Sequence, residues 1–570
     1  MRALTLFILI LTSLSAGLVK SEPSVESSKA YEKAQAMRTS AGNIIESSKD
    51  KEALQKAETI LLKALLYVRS DKIRSLYAND IYLAARQWDI LRDLVEVNAL
   101  QKDRAGALLY LSEFQRHQQA LYRVATNAAV VNLLKNERLF RQLVGSEKAW
   151  SRIFEVNTFS SPFQDNLTNA EKIAGLSLFW SEAKYNFVYF DQIPDLNWDE
   201  TYKKFIPKVL ATENSREYFR VLMRLAALLQ DGHSNVYPPS EIIDQYFAAP
   251  PLRTRLMDDK VIITAIYSKS LKSAGLKVGD ELLKINDVSV HKYANDFVRP
   301  FQSSSTKQDK DLRTYSYSLL RGDKDQTIKL KIKTESGKRH ELLIKRIYTD
   351  RISPIRHVFK ILKNNIAYIS LDGFGDEQSL NKFIKSFPQI RKASGLIIDV
   401  RKNGGGSSGY GMAVLGYLTH DPVIGSSQRT REYLGTLRAW GERRVSWKVL
   451  GGDNAKRWIQ PEIFEGPVSV LIGAGTFSAG EDFAVAFEML KRGTLIGQTT
   501  GGSTGQPLFF ELPGGGSARV TSKRDGYPNG EDWVGVGIKP NIEVKPTVQD
   551  IRQGVDPVLN KAIEVLLKSQ

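Results

Sequence analysis

The first candidate for covalent chemistry in this sequence is Ser478, because of its residue type and its position. It lies in the hexapeptide 476–481, Thr-Phe-Ser-Ala-Gly-Glu, which follows an apolar segment and opens a helical pattern near 479–491. The free backbone N–H groups and the dipole at a helix N-terminus favour an anion, such as the oxyanion of acyl transfer. Ser-x-x-Glu is also typical of a capping box, with Ser478 as N-cap and Glu481 three positions later. The fragment therefore predicts either a nucleophile or a helix cap, and it departs from the Gly-x-Ser-x-Gly elbow because Thr476 replaces the first glycine.

A glycine-rich loop at residues 399–406, Asp-Val-Arg-Lys-Asn-Gly-Gly-Gly, follows a second apolar segment. Glycines let the backbone approach another group closely and point its N–H groups at an anion. Residues 404–409 also match Gly-x-Gly-x-x-Gly, but a dinucleotide site needs an acidic residue about 20 positions later, at the end of a second strand. Because that residue is missing, an anion-binding loop and a plain tight turn are the two interpretations.

His233 is a candidate base for a serine nucleophile. It lies in the turn-like segment Asp231-Gly232-His233-Ser234, between a helical stretch near 215–230 and two prolines. Catalytic groups often lie on loops that follow rigid elements, although a lone histidine is commonly structural. The chain has six histidines, none with the spacing of an HExxH metal motif, and no cysteine. These counts exclude thiol nucleophiles, disulfides and zinc-thiolate sites, and we predict neither a metal nor a cofactor.

The length and composition indicate several folded domains around these residues. A chain of 570 residues is too long for one hydrophobic core, so we expect two to four domains. With 42% hydrophobic and 25% charged residues, collagen-like, disordered and polytopic membrane classes are excluded. The net charge is +17, and residues 251–350 alone hold 21 basic and 13 acidic residues. This surplus suits acidic or carboxylate-ended polypeptides, whereas the lack of a nucleic-acid-binding motif argues against nucleic acid.

The N-terminal part of the chain predicts an exported protein with a helical domain. Arg2, an apolar run over 4–19 and small residues near position 21 are typical of a signal peptide, here residues 1–21. We expect a periplasmic or extracellular protein without a stable membrane span after cleavage; an uncleaved anchor is the alternative. Residues 22–150 show helical spacing of apolar residues, and no proline occurs between Pro23 and Pro162. We interpret this segment as an α-helical packing domain with a possible protein partner.

Three further segments complete the predicted organisation. Residues 151–245 are mixed and aromatic-rich, and residues 246–350 contain short strands separated by turns. From 351 to 570, apolar runs at 366–371, 396–400, 468–472 and 494–496 alternate with helical stretches. This alternation favours a largely parallel sheet covered by helices, so the fold class is multidomain α/β.

The order of these motifs resembles the carboxyl-terminal processing peptidases, a family of serine peptidases that includes tail-specific proteases and the tricorn core protease. The resemblance covers about residues 170–550. Several short motifs carry it together, and in chain order they are residues 231–234, 273–286 (SAGLKVGDELLKIN), 319–322 (LLRG), 399–406, 476–481, 497–502 (GQTTGG) and 537–542 (GIKPNI).

This resemblance implies a crotonase/ClpP-like catalytic core whose N-terminal lobe is residues 151–245 and whose main part is 351–570. A PDZ-like β domain, residues 246–350, is inserted between them. Ser478 matches the family nucleophile, His233 matches the base of the tricorn-like branch, and the oxyanion N–H groups would come from Ala479 and from Gly404 or Gly405.

The resemblance also leaves the rest of the catalytic relay to be assigned. Ser503 stands 25 residues after Ser478, where another branch of the family has its lysine, so a Ser–Lys pair is not expected. Ser234 or Ser503 would supply the assisting hydroxyl. The position at which the family usually has a glutamate is Val534. The function implied is an exported serine endopeptidase that cleaves peptides or unfolded protein termini. A catalytically degenerate binding or scaffold protein is the alternative.

The PDZ-like segment implies a second site for the substrate. Arg253 and Arg255 lie where the carboxylate-binding loop of a PDZ domain is expected, in a segment of high positive charge. We therefore predict that these two arginines bind the carboxylate end of a peptide or protein substrate; a spacer or gating domain without substrate binding is the alternative.

Overall fold

A computed structural model describes residues 25–77, 80–113, 124, 126–153, 157–347, 357–442, 445–450, 454–455 and 460–569. The predicted signal peptide, residues 1–21, lies outside the described residues. Internal contacts divide the chain into two compact units, one of Met1–Glu155 with Lys448–Asn454 and the other of Val156–Trp447 with Ala455–Gln570. Across the described ranges, no helix is both long enough and apolar enough to cross a membrane.

All regular elements described within residues 25–153 of the first unit are helices. Its core forms because each long helix buries one apolar stripe; Leu54, Leu61 and Val68 lie on the buried stripe of α2. Asp50 caps the same helix by accepting a hydrogen bond from the Ala53 N–H at 2.8 Å. The helices are α1 (Val25–Ser47), α2 (Lys51–Val68), α3 (Asp71–Arg74), α4 (Ile81–Leu100), α5 (Arg104–Glu113), α6 (Ala128–Leu134) and α7 (Arg138–Ile153).

The second unit begins with four helices and a short strand. Tyr218, Leu222 and Leu225 lie on the buried face of α10, at the spacing of an amphipathic helix. The turn that carries His233 joins α10 to β1, and β1 pairs antiparallel with β18 in a three-stranded sheet of order β1-β18-β17. The elements are α8 (Asn169–Asn186), α9 (Trp198–Leu210), α10 (Ser215–Ala227), β1 (Asn235–Tyr237), α11 (Ser240–Tyr246), β17 (Pro507–Glu511) and β18 (Ser517–Thr521).

A six-stranded sheet of order β20-β16-β15-β10-β9-β8 forms the centre of this unit. Five strands run parallel and β8 is antiparallel to β9, which confirms the largely parallel sheet predicted from the sequence. The elements are β8 (Phe359–Ile361), β9 (Ile366–Ser370), α15 (Gln378–Ile390), β10 (Gly395–Asp399), α16 (Ser408–Leu415), β15 (Val468–Ile472), α18 (Ala479–Met489), β16 (Gly493–Gly497), β20 (Ile542–Glu543) and α20 (Pro557–Lys568).

Helices cover both faces of the sheet, which explains why its strands read as continuous apolar runs. Every residue of β10 and β15 is buried. Ile398 and Val470 belong to the main core, whereas Ile397 and Leu471 pack with α20 on the other face. Asp556 caps α20 by accepting a hydrogen bond from Leu559 N–H at 3.0 Å.

The carboxyl ends of β10, β15 and β16 therefore meet at one edge of the sheet, and the site residues lie on the loops that follow them. An arginine holds the first of these loops. Arg401 forms ion pairs with Asp399 at 2.6 Å and with Asp556 at 2.7 Å, which ties the loop after β10 to the start of α20. In open parallel sheets this edge is the usual position of a binding crevice.

An antiparallel sheet of order β2-β3-β4-β6-β7, with β5 paired to β4, occupies residues 252–345. It has its own apolar core, in which Ile263, Leu282 and Leu330 are buried. Its elements are β2 (Leu252–Met257), β3 (Lys260–Ile266), α12 (Lys269–Ser273), β4 (Glu281–Ile285), β5 (Val288–Ser289), α13 (Val290–Tyr293), α14 (Lys307–Asp311), β6 (Thr327–Lys333) and β7 (Arg339–Lys345). The mixed α/β character and the separate β-rich segment agree with the sequence, and the identity of this segment as a PDZ domain stays a prediction.

Short elements connect these parts. The strand β12 pairs antiparallel with β19, with Ser427 opposite Gly526. The connecting elements are β11 (Val423–Ile424), β12 (Ser427–Glu432), α17 (Gly435–Ala439), β13 (Ser446–Val449), β14 (Asn454–Ala455), β19 (Arg524–Gly526) and α19 (Val548–Gln553).

Candidate active site

Ser478 lies in a sharp turn between β15 and α18. Its backbone has φ 56° and ψ −126°, a conformation that L residues rarely adopt and that costs about 1–3 kcal/mol. Such strain persists only where the surroundings hold the residue in place, and it is common at reactive positions. The side chain is half-buried and points its hydroxyl at His233. The turn therefore presents a partly accessible hydroxyl at the carboxyl edge of the sheet.

The His233 imidazole lies between two serine hydroxyls. Its Nε2 is 3.0 Å from Ser478 Oγ, and its Nδ1 is 2.9 Å from Ser503 Oγ. The histidine is buried, and the two serines lie 245 and 270 positions away from it in the sequence. If Nε2 accepts the Ser478 proton, the ring proton lies on Nδ1 and is donated to Ser503. The contact gives Ser478 a neighbouring base and leaves the base with an orienting partner.

Asp231 contacts Ser503 and is almost fully buried, with 1% exposure. Its Oδ1 accepts a hydrogen bond from Ser503 Oγ at 3.4 Å. Its Oδ2 accepts from Ser234 Oγ at 2.6 Å and from Thr521 Oγ1 at 2.5 Å. Four side chains thus form a continuous row, Ser478, His233, Ser503 and Asp231. Of the two predicted assisting hydroxyls, Ser503 contacts the imidazole, whereas the Ser234 hydroxyl is donated to Asp231.

The electrostatic surroundings favour a neutral imidazole. Burial lowers the pKa of His233 well below its ordinary value, and the positive charges of Arg519, Arg313 and Lys523 lower this pKa further. The ring of Phe477 stacks on the imidazole, with centroids 4.8 Å apart and an angle of 11° between the planes. The imidazole is therefore held in one orientation and is available as a proton acceptor at neutral pH.

Glu481 is a second buried carboxyl group beside the candidate nucleophile. It accepts hydrogen bonds from the N–H groups of Gly502 (2.7 Å), Ser503 (3.0 Å) and Ser478 (3.3 Å), and from the Thr500 hydroxyl. The bond from Ser478 N–H is the one a capping box predicts for this glutamate. Glu481 thus joins the loop after β16 to the turn that carries Ser478. Burial raises the pKa of Glu481 to about 8, because lost hydration outweighs the stabilisation by these donors.

The raised pKa of Glu481 predicts a pH-dependent stability. The ordinary pKa of the group is 4.5, so between about 4.5 and 8 the folded chain keeps a proton that the unfolded chain releases. Its stabilising contribution is complete below 4.5 and is lost as the pH rises through about 8. Between about pH 5.5 and 8.5 we expect this group to lower the free energy of unfolding by roughly 3 kcal/mol.

Urea unfolding of the wild type and of Glu481→Gln at both pH values measures this effect. The glutamine cannot titrate, so the wild type should lose about 3 kcal/mol more than the variant over the same interval. Any constant cost of the substitution cancels in this comparison. Equal losses in the two proteins would contradict the assignment.

The glycine loop lies directly against Ser478. A Cβ on Gly405 would be 2.6 Å from Ser478 Cβ, so only glycine fits at this position, where φ is 99°. The Gly405 N–H donates to Asn403 Oδ1 at 3.0 Å, and the Asn403 carbonyl oxygen accepts from Phe477 N–H at 2.9 Å. Asn403 therefore fastens the loop after β10 to the loop after β15.

Two backbone donors stay open beside the serine. Within the described part of the chain, the N–H groups of Gly404 and Ala479 donate to no protein acceptor. Ala479 is the first residue of α18, where the positive end of the helix dipole lies. Of the two predicted glycine donors, Gly404 is the open one, because the N–H of Gly405 is already bonded to Asn403.

The remaining predicted positions lie away from this row of residues. Arg255 lies on β2 and donates to Gln498 Oε1 at 2.8 Å, and Arg253 precedes it by two residues on the same strand. Val534 is buried, and its carbonyl oxygen accepts from Gln192 Nε2 at 3.0 Å. Position 534 thus supplies no carboxylate.

Reasoning from the sequence missed three residues that hold the site together. Asp231 was visible only as part of the turn around His233, and Asn403 only as part of the glycine loop. Glu481 carried the signal of a capping box, which is correct for its bond to the Ser478 N–H. No local pattern indicated that the same carboxylate also binds the loop after β16, because those bonds depend on the packing of neighbouring strands.

The segment that carries Ser478, Ser503 and the glycine loop is similar to known proteins. Residues 365–544 match peptidase family S41. The carboxy-terminal processing protease CtpB of Bacillus subtilis is 26% identical over 314 residues, which are 54% of this chain and 57% of that protein. The carboxyl-terminal-processing protease of a Picosynechococcus species is 23% identical over 366 residues, covering 61% and 78%. The tricorn protease of Thermoplasma acidophilum is 25% identical over 264 residues, covering 44% and 22%.

The chain spans about half the length of the first curated relatives that it matches. Among solved structures, mature CPAF complexed with lactacystin is 15% identical with a TM-score of 0.56, covering 70% of this chain and 98% of that one. At this identity the likeness concerns the fold alone. The resemblance seen in the sequence motifs is confirmed: residues 365–544 match peptidase family S41, and the chain is similar to carboxy-terminal processing proteases.

Proposed function

We propose that this chain is a serine endopeptidase in which Ser478 is the nucleophile and His233 is the general base. The observation that carries the proposal is the 3.0 Å contact between Ser478 Oγ and His233 Nε2, in a half-buried turn at the carboxyl edge of the sheet. A nucleophile within hydrogen-bond reach of a base, which is itself oriented by a third group, is the arrangement that acyl transfer requires.

In the first half of the reaction, Ser478 Oγ attacks the carbonyl carbon of a peptide bond while its proton moves to His233 Nε2. The carbonyl oxygen becomes an oxyanion, and the N–H groups of Ala479 and Gly404 donate hydrogen bonds to it. Donors placed before the charge develops stabilise the transition state by about 3–4 kcal/mol each. His233 then gives its proton to the leaving amine, which leaves an acyl group on Ser478.

In the second half, water attacks the acyl group and His233 again accepts the proton. Ser478 takes the proton back when the carboxylate product departs. Both halves need a neutral imidazole at the start, and the lowered pKa of His233 supports this protonation state.

Asp231 is the acidic end of the relay in this proposal. Ser503 connects His233 to Asp231, because its hydroxyl accepts a hydrogen bond from His233 Nδ1–H and donates one to Asp231 Oδ1. The carboxylate thus stabilises the imidazolium that forms in the transition state without contacting it directly. The acid in this proposal is therefore Asp231, in the turn that also carries His233, and not position 534, which is a valine.

The lowered pKa of His233 predicts an active enzyme at mildly acidic pH. Activity requires the neutral imidazole, so kcat/KM should fall only as the pH drops through the folded-state pKa, which lies below 6.5. Arg519→Gln should shift the midpoint of this fall upward, because Arg519 is the charge with the largest lowering effect after burial. The pH profile of kcat/KM for both proteins measures this. A wild-type midpoint at or above 6.5 would contradict it.

Active-site labelling tests the proposal as a whole. A fluorophosphonate probe reacts covalently with an activated serine, so the wild type should be labelled and Ser478→Ala should not. Ser408→Ala is the matched control, since Ser408 lies near the same helix but donates to Asp482 at 2.6 Å. Labelling that survives in Ser478→Ala, or no labelling of the wild type, would favour a degenerate binding protein instead.

The substrates we propose are peptides or unfolded protein termini, in keeping with the similarity to carboxy-terminal processing proteases. Export to the periplasm or the extracellular space is part of the same proposal and rests on the signal-peptide pattern over residues 1–21.

A further inference from the structure

A cavity of about 570 Å³ opens in the second unit, between α10 and β1 on one side and residues 293–346 on the other. Its size suits an organic molecule or a few residues of a peptide. Its wall is rich in arginine and aromatic side chains. The arginines are Arg216, Arg220, Arg313, Arg321 and Arg346, and the aromatic residues are Tyr237, Tyr246, Phe247, Tyr293, Phe297 and Phe301.

Three of these arginines lack a paired carboxylate. Within the described part of the chain, Arg220, Arg321 and Arg346 form no ion pair with a carboxylate. Arg346 is buried to 2% exposure and donates to Leu320 O at 2.9 Å and to other neutral acceptors. A buried guanidinium whose partners are all neutral keeps an uncompensated positive charge, which is costly, so this is an unusual arrangement for a wall that serves packing alone.

The wall contains a single carboxylate, that of Asp323, and this group is already paired. Arg216 Nη2 lies 2.5 Å from Asp323 Oδ1. Burial and the neighbouring charge of Arg216 lower the pKa of Arg220, and the charge of Asp323 offsets this only in part. The Arg220 guanidinium lies 4.2 Å from the centroid of Phe301. The cavity therefore has an excess of positive charge beside apolar surface.

The inner wall of the cavity also contacts the turn that carries His233. Arg313 lies 5.0 Å from the centroid of Phe477, and its Nη2 is 3.5 Å from Gly232 O. Ser303 Oγ donates to Asp231 O at 2.7 Å. A molecule in the cavity would thus touch side chains that hold this turn, while Ser478 lies outside the cavity wall.

We propose that this cavity is a binding site for a carboxylate attached to an apolar group, with Arg220 as its principal anchor. Guanidinium groups bind carboxylates through paired hydrogen bonds, and the aromatic wall receives the apolar part. Either the free end of a polypeptide or a small organic acid presents this chemistry. The site is separate from the proposed nucleophile, so ligand binding to it can be tested independently of peptidase activity.

Calorimetric titration of the full chain carrying Ser478→Ala tests the site without turnover. The probes are an acetylated pentapeptide ending in phenylalanine with a free carboxylate, the same peptide as its amide, 3-phenylpropionate and inorganic phosphate. We expect the free-acid peptide to bind at least about tenfold more tightly than its amide, because a charge-assisted pair is lost in the amide. Equal affinity for 3-phenylpropionate identifies a small organic acid as the source, and tighter binding of the peptide identifies a polypeptide end; both support the site.

Arg220→Gln, added to the same protein, should weaken the binding of the free acid about tenfold or more, and Arg220→Lys by less. Arg224→Gln is the control, because Arg224 lies one turn further along α10 and is exposed outside the cavity wall. Thermal unfolding shows whether each variant is folded. Equal affinity for acid and amide, tighter binding of phosphate than of both carboxylates, or no effect of Arg220→Gln in a folded protein would overturn the proposal.

Discussion

Replacing His233 with alanine is expected to lower kcat for peptide hydrolysis by about 10⁴-fold or more, with KM within a few-fold of the wild type. In the proposed mechanism His233 acts on the reacting proton, so its loss should remove stabilisation of the transition state and leave substrate binding intact. No other imidazole among the described residues contacts Ser478, and the Glu481 carboxyl already accepts from the backbone N–H groups of Ser478, Gly502 and Ser503. Steady-state kinetics on a quenched fluorescent peptide measures both parameters.

Two controls make this result specific to the base. His420→Ala removes an exposed histidine of the same unit and should leave kcat unchanged. Ser478→Ala should reduce kcat to the same level as His233→Ala, and the double variant should be no slower, because the two side chains act as one unit. A His233→Ala protein that is folded and keeps its activity would refute the assignment of the base.

Asp231→Asn is expected to lower kcat by about 10²- to 10⁴-fold, again with little change in KM. The asparagine keeps the shape of the side chain but loses the negative charge that stabilises the imidazolium. It also places an amide N–H₂ group where Ser234 and Thr521 now donate to Oδ2. Some loss of stability is expected from this mismatch, so thermal unfolding must show that the variant is folded at the assay temperature.

A double-mutant cycle separates a role in the relay from a merely structural one. If Asp231 acts through Ser503, then Asp231→Asn should have a much smaller effect on kcat in a Ser503→Ala background than in the wild type. A structural role would reduce kcat by the same factor in both backgrounds. Equal factors would therefore leave the relay without an acid at this position.

Much of the fold could be predicted because its signals are local. The apolar runs of the central strands occur where helices cover both faces of the sheet. The antiparallel segment was visible in its short strands and turns. The segment 294–318 could not be predicted in the same way, since no periodic pattern marks the irregular helical turns whose side chains line the cavity.

For the candidate site, too, features specified by neighbouring residues could be predicted, whereas contacts between distant residues could not. A strand, a sharp turn and a helix are specified by neighbouring residues, so Ser478 and the glycine loop were found from short patterns, and the His233 turn from its position after a helix. The sequence by itself also determined that covalent chemistry could not involve a thiol, because the chain has no cysteine.

Only the tertiary structure decided which of these groups are in contact. His233 contacts Ser503 and not Ser234, and Asp231 contacts Ser503 on its other side. The Gly405 N–H donates to Asn403, which leaves the Gly404 N–H open. The partners are up to 272 positions apart, and their distances depend on how β10, β15 and β16 align and how β1 pairs with β18. A hydrogen bond forms or fails within less than an ångström, and that precision comes from packing rather than from any local pattern.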